Sequence, residues 1–198
     1  MGNTATTLTI SSGTAPDTTS DYVIVKITID ANSSVDPAIG NIPQNLHVCG
    51  FRFINAPTNG YALRVDAPLT GHAGLEFKYN LVVNGQNGLL IAGWHGCQIK
   101  HNLFEVRNFG VVVGYYAYAT PRANCFKAKT SGSGTGLYVY GLSMAPLIGG
   151  DDVNTFINLN KGCWAALGGV IRDGSDQVYN GCTTNYTPSG ASDPAYIS

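Results

Sequence analysis

The chain has 198 residues, a formal net charge of −1, 44 % hydrophobic residues and 12 % charged residues. That length suits one large domain or two small ones, and the apolar share is enough for a core. So small a net charge offers no global field to nucleic acid or anionic lipid. No stretch approaches the ~18 consecutive apolar residues that cross a bilayer.

Residues 1–20, "MGNTATTLTISSGTAPDTTS", are rich in Thr and Ser and poor in apolar residues. They read as a flexible polar arm. The arm lacks the basic region and apolar core of a secretion signal. Met1-Gly2 with Thr6 fits the myristoylation pattern, but no basic cluster completes an anchor. Folding in a reducing cytosol is the expectation.

From residue 21 onward two markers recur. The first is an apolar residue, a cation and usually another apolar residue: Val25-Lys26-Ile27, Phe51-Arg52-Phe53, Phe77-Lys78-Tyr79, Ile99-Lys100-His101 and Phe126-Lys127-Ala128. Its copies advance by 26, 26, 22 and 27 residues. The second is a glycine leading a mostly apolar triplet, at Gly60, Gly88, Gly110, Gly136 and Gly162, with steps of 28, 22, 26 and 26 residues. A period of about 20–50 residues signals a repeat architecture. The units hold no helical amphipathic pattern. Runs such as Val111-Val112-Val113 are β-branched and read as short strands. Asn55, Asn80 and Asn102 follow the first marker, where the chain must bend and left-handed geometry helps. One unit cannot bury its inner face alone, whereas stacked neighbours can.

This pattern resembles the right-handed parallel β-helix family, the shape of pectin-lyase-like enzymes and phage tailspikes. The resemblance covers residues 21–171 and rests on periodicity and corner chemistry. It implies an all-β, right-handed parallel β-helix of about six coils, associated as a homotrimer. Equivalent residues then lie ~4.8 Å apart along the stack. Val25, Phe51, Phe77, Ile99 and Phe126 are expected to form one inward column, and Val23, Cys49, Leu75 and Cys97 another. Alternation then sets Lys26, Arg52, Lys78, Lys100 and Lys127 outside in a single file. Neighbouring cations in such a file repel by ~0.8 kcal/mol in bulk water, less with salt. Glu76 and Glu105 relieve the repulsion, and the file is a candidate contact for an acidic partner surface.

The five cysteines, at 49, 97, 125, 163 and 182, form no C-x-x-C pair and are odd in number. They read as free thiols, not as a disulfide framework or a zinc site. His47, His72, His95 and His101 lack metal spacing, and the scattered acids do not make a calcium site. No metal and no cofactor are expected.

Hydrolases of the polygalacturonase type resemble one another in Asn-Thr-Asp, Asp-Asp, Gly-His-Gly and Arg-Ile-Lys motifs. Here only Gly150-Asp151-Asp152 fits; Gly71-His72-Ala73 departs from the histidine motif and precedes the acid pair. No catalytic residue is therefore expected. The alternative is a carbohydrate-binding or carbohydrate-cleaving β-helix, as in a tailspike or polysaccharide lyase, whose acids would be Asp151, Asp152 and Glu105. Tyr115, Tyr116, Tyr118, Tyr138 and Tyr140 make an aromatic patch suited to a subunit interface. Residues 172–198 are turn-rich and read as a cap or an inter-subunit segment.

A short, weakly charged stack with a polar arm resembles viral structural β-helices, which are commonly homotrimers. The expected function is a non-enzymatic phage capsid cement or decoration protein on the capsid exterior, folded in the host cytoplasm. Its expected partners are itself and the major capsid protein, with no nucleic acid and no membrane.

Overall fold

A computed structural model describes residues 27–30, 38–40, 46–66, 72–147, 149–173, 176–188 and 196–197. The arm at residues 1–20 and Lys26 lie outside the described residues. The chain winds into a parallel β-solenoid of about six turns, with a single 3-10 turn, Gly150–Asp152, as its helical element among the described residues. Each strand pairing is parallel.

Three flanks make up a turn. The first holds Ile27–Asp30, Phe51–Ile54, the first half of Leu81–Ala92, the first half of Leu103–Gly114, Cys125–Ala128, Thr155–Ile157 and Val178–Asn180, in that order. The second holds Ala38–Gly40, Tyr61–Asp66, the second halves of the same two long strands, Ser133–Val139, Leu159–Ala165 and Thr184–Pro188. The third is a four-stranded sheet of His47–Cys49, Glu76–Lys78, Cys97–Lys100 and Ala119–Arg122. A bridge from Tyr118 to Met144 leads on to Met144–Leu147, Val170–Asp173 and Tyr196–Ile197. Parallel pairing thus continues beyond residue 171.

Two columns fix the interior. Along the first flank Phe53, Phe104, Phe126, Phe156 and Tyr179 point inward, and their position in one turn is held by the smaller Val82. Phe77 enters from the third flank beside Val82. Its ring lies 5.9 Å from Phe53 and 6.0 Å from Phe104, which makes the stack continuous. The stack goes on through Phe126, Phe156 and Tyr179 at 5.2, 5.0 and 4.8 Å. Fully burying each such ring stabilises by roughly 1.5–3 kcal/mol.

The repeated glycine is explained by this stack. A Cβ on Gly110 would sit 2.5 Å from the Gly136 carbonyl oxygen and 2.6 Å from the Phe126 ring. Gly88, Gly136 and Gly162 meet Phe104, Phe156 and Tyr179 in the same way, at 2.8, 2.5 and 2.4 Å. Each glycine is the space into which the next turn's aromatic ring fits.

The first marker divides between two flanks. Phe51-Arg52-Phe53 and Phe126-Lys127 lie on the first flank, where Phe53 and Phe126 are buried and Phe51 is half-exposed. Phe77-Lys78 and Ile99-Lys100 lie on the third, in line with Val48-Cys49 and Pro121-Arg122. The expected column of Val25, Phe51, Phe77, Ile99 and Phe126 therefore splits: Phe77 and Ile99 share one column, Phe126 stands in another in line with Phe53, and Phe51 belongs to neither, while Val25 and Val23 lie outside the described residues. The second expected column holds at Leu75 and Cys97, but Cys49 is exposed opposite Lys78.

Candidate functional site

The corner between the third and first flanks carries the densest polar network. Tyr79, His101 and Ala123 take left-handed φ of 55°, 53° and 49°, and the asparagine after each turns inward. Asn80, Asn102, Asn124 and Asn154 are buried in a ladder that ends on Gln177. The Asn102 backbone N–H and side-chain amide both donate to Asn124 Oδ1, at 3.1 and 2.9 Å. The same amide donates to the Phe77 carbonyl at 2.9 Å. Asn80, Asn124 and Asn154 repeat this arrangement toward Val48, Ile99 and Pro121. Among these asparagines the left-handed one is Asn55, whereas Asn80 and Asn102 form rungs. A motif in the sequence marks them: Asn-x followed by the stacked residue, at Asn80-Leu81-Val82, Asn102-Leu103-Phe104, Asn124-Cys125-Phe126 and Asn154-Thr155-Phe156.

Of the expected cations, Lys78 and Lys100 share a file, and its third member is Arg122. Arg52 and Lys127 stand on the first flank. Glu76 accepts from Lys78 Nζ at 2.9 Å and from His47 Nδ1 at 3.0 Å. The hydrogen bond from Lys78, with the nearby positive charges, holds the Glu76 carboxyl below its ordinary range. Arg122 meets Asp152 at 3.3 Å. Lys100, between them, has no ion-pair partner among the described residues.

The acids do not converge. Glu105 faces Lys127 at 3.6 Å on the first flank, while Asp152 lies on the 3-10 turn beside Arg122. Asp151 is in that turn too, and its side chain is outside the described residues. No three His, Cys, Asp or Glu side chains among the described residues are grouped as metal ligands. No helix among them is long and apolar enough to cross a membrane.

The tyrosines do come together. Tyr140 stacks on Tyr138 at 5.2 Å and meets Tyr115 edge-on at 5.2 Å, over Gly114, where a Cβ would strike the Tyr140 ring. Burial, and then the neighbouring Tyr115, push the Tyr140 hydroxyl pKa up. Tyr138 continues the cluster to Phe109 at 5.1 Å and to Trp164 at 4.6 Å, where Lys161 Nζ lies 3.6 Å over the indole. Tyr116 and Tyr118 are exposed beside it. The surface thus presents a file of basic residues on the third flank and, on the second flank and its corner, an aromatic cluster with Lys161 at its Trp164 edge.

Comparison of the chain with protein-family models, with curated proteins and with solved structures finds no match. The parallel β-helix fold stands on the register of its own strands.

Proposed function

We propose that the chain is a non-enzymatic virion protein, a trimeric cement protein that binds the outside of a capsid shell and stabilises it. The observation that carries this reading is the division of the surface. In the Lys78–Lys100–Arg122 file, Lys78 and Arg122 are engaged by Glu76 and Asp152, and Lys100 between them offers its charge to an acidic surface, while Tyr115 and Tyr140 at the opposite corner offer an uncharged surface to further copies of the chain. A clamp needs both kinds of contact, and the parallel solenoid carries them on different flanks. The carboxylates that would serve the carbohydrate-cleaving alternative, Glu105 and Asp152, are each held by a cation on separate flanks.

Co-sedimentation with assembled capsids tests the reading. The protein is expected to pellet with capsids, less so at high salt, and Lys100→Glu is expected to weaken binding at least ~5-fold, which is about 1 kcal/mol. A protein that stays in the supernatant at every salt concentration contradicts it.

A further inference from the structure

Among the described residues nine large apolar side chains stand exposed, and five of them, Tyr115, Tyr116, Tyr118, Leu142 and Leu167, lie at the corner joining the second flank to the third. The chain passes this corner in three successive turns through a pair of left-handed residues: Tyr115-Tyr116, Gly141-Leu142 and Leu167-Gly168. Glycine suits such a position, and Gly141 and Gly168 use it. Tyr115, Tyr116, Leu142 and Leu167 hold φ of 55°, 65°, 60° and 50°. Left-handed backbone is strained for a residue with a Cβ. The same side chains are 57 %, 61 %, 63 % and 59 % exposed. For Tyr116 and Leu142 no ring contact or side-chain hydrogen bond to the described residues offsets these two costs. Strained backbone and exposed apolar surface are independent marks of a contact site.

Backbone hydrogen bonds join the turns of the ridge. Tyr116 N–H donates to the Gly141 carbonyl at 3.0 Å, and Gly141 and Leu142 N–H donate to the Leu167 carbonyl at 3.1 and 3.3 Å. It is also neutral: residues 108–121, 133–150 and 162–171 contain no charged side chain. A charged partner surface would gain nothing here. The contact points repeat at the rung spacing of ~4.8 Å, and another copy of this stack repeats at that same spacing.

We propose that this ridge is where copies of the chain meet, ridge against ridge with the stacks parallel, so that like turns face each other. The inference deepens the homotrimer part of the function proposed above and rests on it. Leu142 and Leu167 supply the aliphatic half of the contact, and Tyr115 and Tyr116 the aromatic half.

Sedimentation velocity on the full chain, alone and as Leu142→Gly/Leu167→Gly, tests it. Glycine relieves the left-handed strain, so the variant is expected to keep its β circular-dichroism spectrum while its sedimentation coefficient falls to that of a monomer. In a Cys49→Ser background, Leu167→Cys is expected to cross-link to itself between copies under mild oxidation, as parallel ridges require. An oligomer untouched by the glycine variant, or a Leu167→Cys protein that stays uncross-linked while oligomeric, overturns the ridge contact and leaves the homotrimer standing. A wild-type chain that is monomeric at every concentration overturns both.

Discussion

Asn102 shows how much one side chain does in this fold. Its amide serves Asn124 and Phe77, and its oxygen receives the Asn80 backbone and side chain, all out of water. Asn102→Ala strands the Asn80 N–H and the Phe77 carbonyl. At about 1–3 kcal/mol for each orphaned buried group, a loss of roughly 2–6 kcal/mol is expected from urea unfolding. Asn84→Ala, at an exposed left-handed position, loses side-chain hydrogen bonds to Asn55 and Lys129 that water can replace, and is expected to cost only about 1–2 kcal/mol. Cys97 acts at the same scale through its proton. Burial pushes its thiol from 9.0 up to about 12, so the unfolded chain gives up that proton first. The stabilising contribution is complete below pH ~9 and is lost as pH climbs toward ~12. The half-buried Tyr179 hydroxyl, also raised mainly by burial, acts in the same direction. Thermal unfolding midpoints are therefore expected to fall above pH ~9, and Cys97→Ala is expected to flatten that fall.

The glycine and the ring it receives form one unit at the scale of the strand. Gly110→Ala places a methyl within 2.6 Å of Phe126 and 2.5 Å of a backbone oxygen, so two turns must separate. A loss at the upper end of the ~1–3 kcal/mol range for overpacking, or beyond it, is expected. Gly132→Ala has open space around it but a φ of +74°, so only the conformational cost of about 1 kcal/mol is expected. Urea midpoints of the two variants separate these causes. The glycine column is legible in the sequence because a tight approach tolerates no other residue and recurs at each turn. The cation file is not legible. An apolar–cation–apolar triplet alternates correctly on any flank, so Phe51-Arg52-Phe53 and Phe77-Lys78-Tyr79 look alike although they face different ways. The asparagine ladder is legible only in part: Asn80 and Asn102 follow the first marker, whereas Asn124, Asn154 and Gln177 are harder to place because the rungs step unevenly, by 22, 22, 30 and 23 residues. Corners absorb those differences in length without moving the rungs.

Across the whole molecule the fold is a stack in which each turn contacts mainly its neighbours, and its stability is a sum of such interfaces. Polar ladder, aromatic stack and glycine column run side by side through successive turns, so one register serves all three. That register also decides which cations share a surface, and with it the functional proposal: Lys78 and Lys100 belong with Arg122, not with Arg52 and Lys127. Pairwise disulfide trapping tests it most directly. Lys100→Cys/Arg122→Cys, whose positions are register partners, is expected to bridge within the chain under mild oxidation, and Lys100→Cys/Lys127→Cys is not. A bridge between positions 100 and 127, with none between 100 and 122, would contradict the winding described here.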